Sequence, residues 1–380
     1  MTKKKSSLKV MTIVGTRPEI IRLSRVIDLL DKSVNHILVH TGQNYDYELN
    51  EIFFKELEIR KPDYFLDSDT SSLGSTVGDI LKKSEIIFRE ENPDAVLVLG
   101  DTNSCLAAYM AKRLHIPIYH MEAGNRCFDF NVPEEINRRV IDHIADFNLV
   151  YTENARRHLL SEGLPHRRIY LTGSPMFEVL NYYSKKIEKS DILKKLKVNA
   201  DDYFVVSIHR EENVDNKNNL LQIISILNIL ANDFNMPVIV STHPRTRKRL
   251  KNIGNVKFNS KVKFLKPFGF LDYVKLQKNA LCTISDSGTI SEESAILSFP
   301  AITLRNSMER PEALDAGTIV LTGFNKNTVI DSINLVIKEH LNSPYEKIPE
   351  EYQVPNTSMR VVKLILGTTK LSNRWAGINI

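Results

Sequence analysis

Short apolar runs alternate with helix-patterned stretches along nearly the whole chain, and the alternation begins afresh near its middle. Residues 8–14, 36–40, 95–99, 117–121 and 148–151 read as buried strands, with helical spacing over 18–30, 46–57, 104–114 and 133–145. The break at Thr172-Gly-Ser-Pro175 is followed by strands at 203–207, 237–240, 262–265, 280–284, 301–304 and 318–321. Helical patterns fall at 220–230, 271–278, 290–297, 328–340 and 359–366, and the proline-bearing stretch 345–356 reads as a linker. Strands regularly spaced by helices build parallel sheets through right-handed crossovers. The expectation is an α/β protein of two such domains, 1–171 and 172–357, facing each other across a cleft.

Composition narrows the function. A length of 380 residues suits two domains, and 42% hydrophobic with 26% charged residues is the balance of a soluble globular chain. The charge, 51 − 46 = +5, suits a small anionic ligand and does not call for nucleic acid. Lys3-Lys-Lys5 reads as a solvated tail, and Ser6, Ser7 and Lys9 interrupt any leader-like apolar core. No apolar run approaches the ~20 residues that cross a bilayer. Three cysteines without metal-type spacing, Cys105, Cys127 and Cys282, point to a reducing cytoplasm.

The polar residues gather where strands end: Arg17, Gln43, Asp101, Glu122, His209, His243, Asp286 and Arg305. Open parallel sheets bind ligands at those ends. Ser285-Asp-Ser-Gly288 joins a strand to a helix whose first turn holds Glu292 and Glu293. Unpaired N–H groups at such a turn seat a phosphate, and the carboxylates can accept hydrogen bonds from a ribose. The same residues also describe an ordinary capped helix. Arg305 and Met308-Glu-Arg-Pro-Glu312 add donors at the next strand-to-loop transition. Neither G-x-G-x-x-G nor G-x-x-x-x-G-K-[ST] occurs, so the ligand is phosphate-bearing but held without a dinucleotide fingerprint or a P-loop.

For chemistry the candidates are Asp101, Glu122, Glu134 and His209. Clustered carboxylates in a desolvated site ionise at separated pH values, which leaves one acid and one base at neutrality. A histidine adds a group that titrates nearby. Asp101 is equally a helix cap; His209 and His243 fit satisfied core histidines too, but two at strand ends, each followed by an arginine within two residues, point to function; and Glu135 is read as an ion-pair partner of Arg138 and Arg139 at helical spacing. Arg17, Arg22, Arg126, Arg210, Arg305 and Arg310 are anion-clamp candidates, since guanidinium grips phosphate in two places. Phe268, Phe270 or Tyr273 could stack on a base or sit in a core.

Seven motifs stand in one order: Gly15-Thr-Arg-Pro-Glu19, Gly100-Asp-Thr102, His120-Met-Glu-Ala-Gly124, Pro133-Glu-Glu135 with Asn137-Arg138, His209-Arg210, Ser285-Asp-Ser-Gly288 with Glu292-Glu293, and Glu309-Arg-Pro-Glu312. Together they resemble the non-hydrolysing UDP-N-acetylglucosamine 2-epimerase family over residues 9 to about 322. The resemblance implies a glycosyltransferase-B-like fold of two Rossmann-like domains, with a C-terminal helix, 358–380, packing back on the first. It implies a UDP-amino sugar as substrate, no metal and no other cofactor, and a homodimer. Catalysis falls to Asp101, Glu122, Glu134 and His209. Ser287, Gly288, Glu293 and Arg310 match positions that hold UDP, with Arg17 near the phosphates and Tyr273 near the uracil. Arg22, Arg126 and His243 complete the expected substrate contacts.

Within that family, Ala123-Gly-Asn-Arg-Cys-Phe-Asp-Phe-Asn-Val132 is a shortened loop. With Ser174-Pro-Met-Phe-Glu178, His209-Arg-Glu-Glu-Asn-Val214 and Ser241-Thr-His-Pro-Arg-Thr246 it resembles the branch that forms UDP-N-acetyl-L-fucosamine from UDP-2-acetamido-2,6-dideoxy-L-talose for capsule and O-antigen. Cys127, Phe128 and Phe130 suit a sugar that lacks its 6-hydroxyl. Action on UDP-N-acetylglucosamine is the alternative, and a UDP-sugar glycosyltransferase or a non-catalytic sensor are others. The stretch around Gln43 departs from the pattern of relatives activated by a second UDP-sugar, so that regulation is not expected.

Overall fold

A computed structural model describes residues 7–42, 47–254, 256–342 and 348–378, with the backbone alone for 47–50. Gln43 and its neighbours to Asp46, the Lys3–Lys5 tail and the first part of the expected linker lie outside the described residues. The chain divides into two compact units. One comprises Met1–Arg126, Val132–Tyr182 and Gln353–Ile380, and the other Cys127–Asn131 and Tyr183–Tyr352.

The first unit holds a seven-stranded sheet: β1 (Lys9–Val14), β2 (Asn35–His40), β3 (Tyr64–Phe65), β4 (Ala95–Leu99), β5 (Ile118–Ala123), β6 (Phe147–Val150) and β7 (Ile169–Leu171). Their spatial order is β3-β2-β1-β4-β5-β6-β7, with every pairing parallel. Helices cover both faces of such a sheet, so its strands are apolar without alternation. β4, Ala-Val-Leu-Val-Leu, is buried at all five positions. The helix Thr357–Trp375 packs against the helix Arg17–Ser33. The Tyr119 hydroxyl meets Thr368 and Thr369 at 2.7 and 3.1 Å, and the Glu178 carboxylate accepts from the Ser358 N–H.

The second unit repeats the plan with β8 (Phe204–Ser207), β9 (Val238–Ser241), β10 (Val262–Leu265), β11 (Cys282–Ser285), β12 (Ala301–Thr303) and β13 (Val320–Leu321). The order is β10-β9-β8-β11-β12-β13, again parallel throughout. Its core joins Phe204, Val206, Val240 and Ile284 of the sheet to Ile223, Leu227 and Leu230 of the helix Lys217–Asp233.

Several elements escape a reading of pattern alone. The helix Leu73–Glu91 begins with Gly74, Ser75, Thr76 and Gly78, a loop-like composition. It forms because Ser72 caps it, accepting from the Ser75 N–H at 3.0 Å, and because Ile80, Ile87 and Phe88 bury. The helices Glu153–Ser161 and Met176–Glu188 and the strands β3 and β7 are likewise additional, and the last helix is far longer than its clear periodicity. Among the described residues no helix is long and apolar enough to cross a membrane.

Candidate active site

In each sheet the strand order reverses once, between β1 and β4 and between β8 and β11. At such a reversal the loops leaving two adjacent strands diverge and leave a crevice at the carboxyl ends. The loops so placed are Gly15-Thr-Arg17 with Gly100-Asp-Thr102, and His209-Arg210 with Asp286-Ser-Gly288.

In the first unit a carboxylate that site prediction overlooked ties the two loops together. Glu19 is buried in the first turn of the helix Arg17–Ser33. One of its oxygens accepts from the N–H groups of Gly15 and Thr16 at 2.9 and 2.6 Å and from the Thr16 hydroxyl at 2.8 Å. The other accepts from the hydroxyls of Thr102, at 3.0 Å, and Ser104. Burial pushes its carboxyl above the usual range, against the pull of these donors. The Thr16-x-x-Glu19 spacing of a capping box was the available signal. Arg17 is half-buried, with its guanidinium 5.7 Å from the centre of the Phe53 ring.

Asp101 follows Gly100, whose φ of 72° needs a residue without a Cβ. Its carboxylate takes two hydrogen bonds from Arg138, at 3.0 and 2.5 Å, and its carbonyl one from Asn137 at 2.9 Å. Arg138 also binds Glu135 at 2.9 Å, and Glu135 takes Arg139 at 2.9 Å as well, the ion pairing its helical spacing implied. Asp101 is therefore oriented by a buried guanidinium. Glu134 stands half-buried in the first turn of the helix Pro133–Ile144, where the helix dipole favours a carboxylate.

Glu122 lies near the end of β5 at a register irregularity, with a left-handed φ of 67°. A non-glycine residue in that region stores strain and re-aims its side chain. The carboxylate pairs with buried Arg22 and approaches the Asn125 amide at 3.4 Å. Arg126, expected to clamp the substrate, is corrected by the structure. Its side chain is buried, and its guanidinium donates to Asp142 at 2.6 Å, to the Asn125 carbonyl at 2.7 Å and to Glu162 at 2.8 and 2.7 Å. No donor faces outward, so it acts as an internal brace. His120 joins the same buried network, 2.8 Å from the Gly100 carbonyl and 3.0 Å from Asp142.

In the second unit Asp286 has the tying role that Glu19 has in the first. It accepts from the N–H groups of His209 at 3.1 Å and Arg210 at 2.9 Å and from the Asn213 amide at 2.9 Å, and it faces His209 Nδ1 at 3.1 Å. Burial alone would raise its carboxyl, but His209 and these donors outweigh burial and hold it at about 2. With Nδ1 turned to Asp286, the Nε2 of His209 points away from it. His243 is 6.1 Å from His209 between ring centres and caps the helix Pro244–Asn252, accepting from the Arg245 N–H at 3.3 Å.

The opposite loop is equally constrained. Ser287 Oγ contacts Thr289 Oγ1 at 2.9 Å. A Cβ on Gly288 would come within 2.5 Å of a Glu309 carboxylate oxygen, so a side chain there would force Glu309 to shift from its arginine partners. Arg310 donates to the Gly288 carbonyl at 2.6 Å and to Glu292 at 3.3 Å, while Arg210 and Arg305 both pair with Glu309. Glu293 accepts from Gln277 at 2.7 Å. Tyr273, on the helix Phe270–Lys278, is half-buried, and burial raises its phenol. The structure thus gathers His209, His243, Tyr273, Ser287, Gly288, Glu293 and Arg310 at the carboxyl end of one sheet, and Arg17, Arg22, Asp101 and Glu122 at that of the other.

Two parallel sheets of this order, with anion-suited turns and oriented carboxylates at both reversals, define a two-domain α/β enzyme of the kind that works on nucleotide-linked sugars. A family model described as UDP-N-acetylglucosamine 2-epimerase matches residues 29–366, and the chain belongs to that family. It is an isomerase, a non-hydrolysing UDP-sugar 2-epimerase. The solved UDP-N-acetylglucosamine 2-epimerase from Rickettsia bellii is 47% identical with a TM-score of 0.89, over 97% of this chain and 99% of that one. The Methanocaldococcus jannaschii enzyme, solved in complex with UDP-GlcNAc and UDP, is 37% identical with a TM-score of 0.89, over 94% and 99%. A Pseudomonas aeruginosa relative, UDP-2,3-diacetamido-2,3-dideoxy-D-glucuronate 2-epimerase, is 33% identical over 86% of this chain and 91% of its own. The glycotransferase of kitacinnamycin, at 9% identity and a TM-score of 0.60, shares the fold alone, which is glycosyltransferase-B-like.

Proposed function

We propose that this epimerase interconverts UDP-2-acetamido-2,6-dideoxy-L-talose and UDP-N-acetyl-L-fucosamine, for capsular polysaccharide or O-antigen. One of Asp101, Glu122 and Glu134 removes the proton at carbon 2 of the sugar. The bond from carbon 1 to the β-phosphate oxygen breaks on the opposite face, its electron pair leaves with UDP, and a 2-acetamidoglycal remains. UDP oxygen then re-adds to carbon 1, and a proton returns to carbon 2 on the other side. Such a step needs a base for a weakly acidic proton, an acid for its return and charge to stabilise departing UDP. The carboxylates and His209 meet the first two needs. Arg17 and Arg310, with the Ser287-Gly288 turn, meet the third, and Tyr273 and Glu293 seat the nucleoside. The Asp286 contact supports His209 in a fixed orientation.

The observation that carries the choice of sugar is the stretch after Glu122. Phe128 and Phe130 stay 67% and 68% exposed, two rings open to solvent in a segment whose Asp129 is fastened to Ser307 at 3.2 Å. Apolar surface on the stretch that follows Glu122 in sequence suits the methyl of a 6-deoxy sugar. One group of that size separates substrates by about 10- to 200-fold. The names of the relatives favour a second reading, the same reaction on UDP-N-acetylglucosamine. A cytoplasmic enzyme accords with three buried cysteines outside any disulfide, and a homodimer with the exposed Tyr109, Ile136 and Val140.

Proton NMR in deuterated buffer tests this, with UDP-N-acetyl-L-fucosamine and UDP-N-acetylglucosamine in parallel. Faster loss of the carbon 2 proton from the L-sugar is expected. A faster reaction of UDP-N-acetylglucosamine overturns the L-sugar assignment in favour of the second reading.

A further inference from the structure

A cavity of about 640 Å³ lies in the first unit beside the edge strand β7 and the last helix. None of the motifs above reaches it. Arg156, His166, Arg167, Arg360 and Lys363 line it, and no carboxylate does. Elsewhere in this unit arginines find acids: Arg126, Arg138, Arg139 and Arg168 are all paired. Here, among the described residues, His166, Arg167, Arg360 and Lys363 have no carboxylate partner. Arg167 donates to the Trp375 carbonyl at 3.0 Å and Arg360 to the Thr172 carbonyl at 3.3 Å. Arg156 holds Glu153 with Nη1 alone, and its buried Nε has no hydrogen-bond partner among the described residues. Gathered cations of which only Arg156 has a carboxylate partner among the described residues make a focused positive potential.

The remaining walls are not those of a bare ion site. Tyr170 and Trp375 bring aromatic surface, and Ile169, Leu171 and Leu364 apolar surface. The volume is that of a pocket for a small organic ligand. We propose that this groove binds a nucleoside oligophosphate, with its phosphates on the Arg360-Lys363 side and its base against Trp375 or Tyr170. The competing account is that the cations only keep an exposed strand edge from pairing with other chains. That account requires no bound ligand.

Trp375 is the chain's sole tryptophan, so its fluorescence reports on this groove and not on the epimerase site. The full-length enzyme is titrated with ATP and, separately, with inorganic pyrophosphate at physiological salt. A saturable change with ATP is expected, half-complete below about 1 mM, with pyrophosphate at least tenfold weaker. The exposed double variant Arg360→Ala with Lys363→Ala is expected to raise the ATP midpoint at least tenfold and leave epimerase turnover unchanged. Equal melting curves for variant and parent establish that the variant is folded. The proposal fails if ATP gives no saturable change, or if the change persists in the folded double variant. Pyrophosphate binding as tightly as ATP overturns the nucleoside part and leaves a phosphate site.

Discussion

Replacing Asp286 by asparagine tests how the second unit builds its site. The carboxylate sits wholly inside the protein and is held at about 2 where an aspartate ordinarily titrates at 3.8. That depression corresponds to a preference for the charged form on the order of 2–3 kcal/mol. Asparagine keeps the shape but has one acceptor oxygen, and it turns an NH2 toward groups that are themselves donors. The amides of His209 and Arg210 both donate to this carboxylate, so their hydrogen exchange measures its grip. A loss of that order speeds exchange of those two amides by roughly one to two orders of magnitude if they exchange by local opening. The sign with pH follows from a depressed folded value. The stabilisation is fully present above about 3.8 and is lost as pH falls through about 2, where the native carboxylate takes its proton. The ratio of variant to parent rates should therefore fall toward one across that interval. Equal rates at neutral pH, or a ratio indifferent to acidification, would refute the assignment of Asp286 as the charged tie between the two loops.

Asp101→Asn, Glu122→Gln and His209→Asn should each lower turnover about a hundredfold or more while leaving UDP affinity, read by calorimetry, nearly intact. Undiminished turnover removes that residue from the acid–base set. Arg126→Leu removes the guanidinium that pairs with buried Asp142 and should cost about 3–5 kcal/mol in urea unfolding without raising KM. A raised KM at unchanged stability would restore it as a substrate ligand. Gly288→Ala drives a methyl into Glu309 and should cost about 1–3 kcal/mol and weaken UDP binding, so unaltered affinity would sink the packing argument. Phe128→Asn with Phe130→Ser should shift the sugar preference measured by carbon 2 proton exchange. Asparagine tolerates the left-handed φ of 54° at position 128, so a lost preference there reflects the missing ring rather than strain.

The local code of this chain was legible because its strands are buried on both faces. A parallel strand packed by helices on each side cannot alternate polar with apolar, so 95–99 or 203–207 announces itself in composition alone, and the polar residues that end each run stand out. Arg17, Asp101, Glu122, His209 and Ser287 all lie at strand or loop ends for that reason. The helix Leu73–Glu91 was not legible. Its opening glycines and hydroxyls favour a loop locally, and only a Ser72 cap and a buried face of Ile80, Ile87 and Phe88 reverse the balance. Tertiary structure alone separated residues of one type into different duties. Arg126 and Arg310 look alike beside their turns, yet the guanidinium of the first is held by Asp142 and Glu162, and nothing within a few residues of Arg126 foretells those two partners. Glu19 and Asp286 show the converse. Each was visible in a motif, but what each accomplishes is to join two loops brought together by the reversal of strand order, which local sequence does not encode. The sequence by itself thus determined most of the elements, the two-fold repetition of the plan and the chemical types at strand ends. Which of those groups are oriented for chemistry and which are spent on bracing depended on long-range ion pairs. The energy of those pairs resides in contacts between residues tens to hundreds of positions apart.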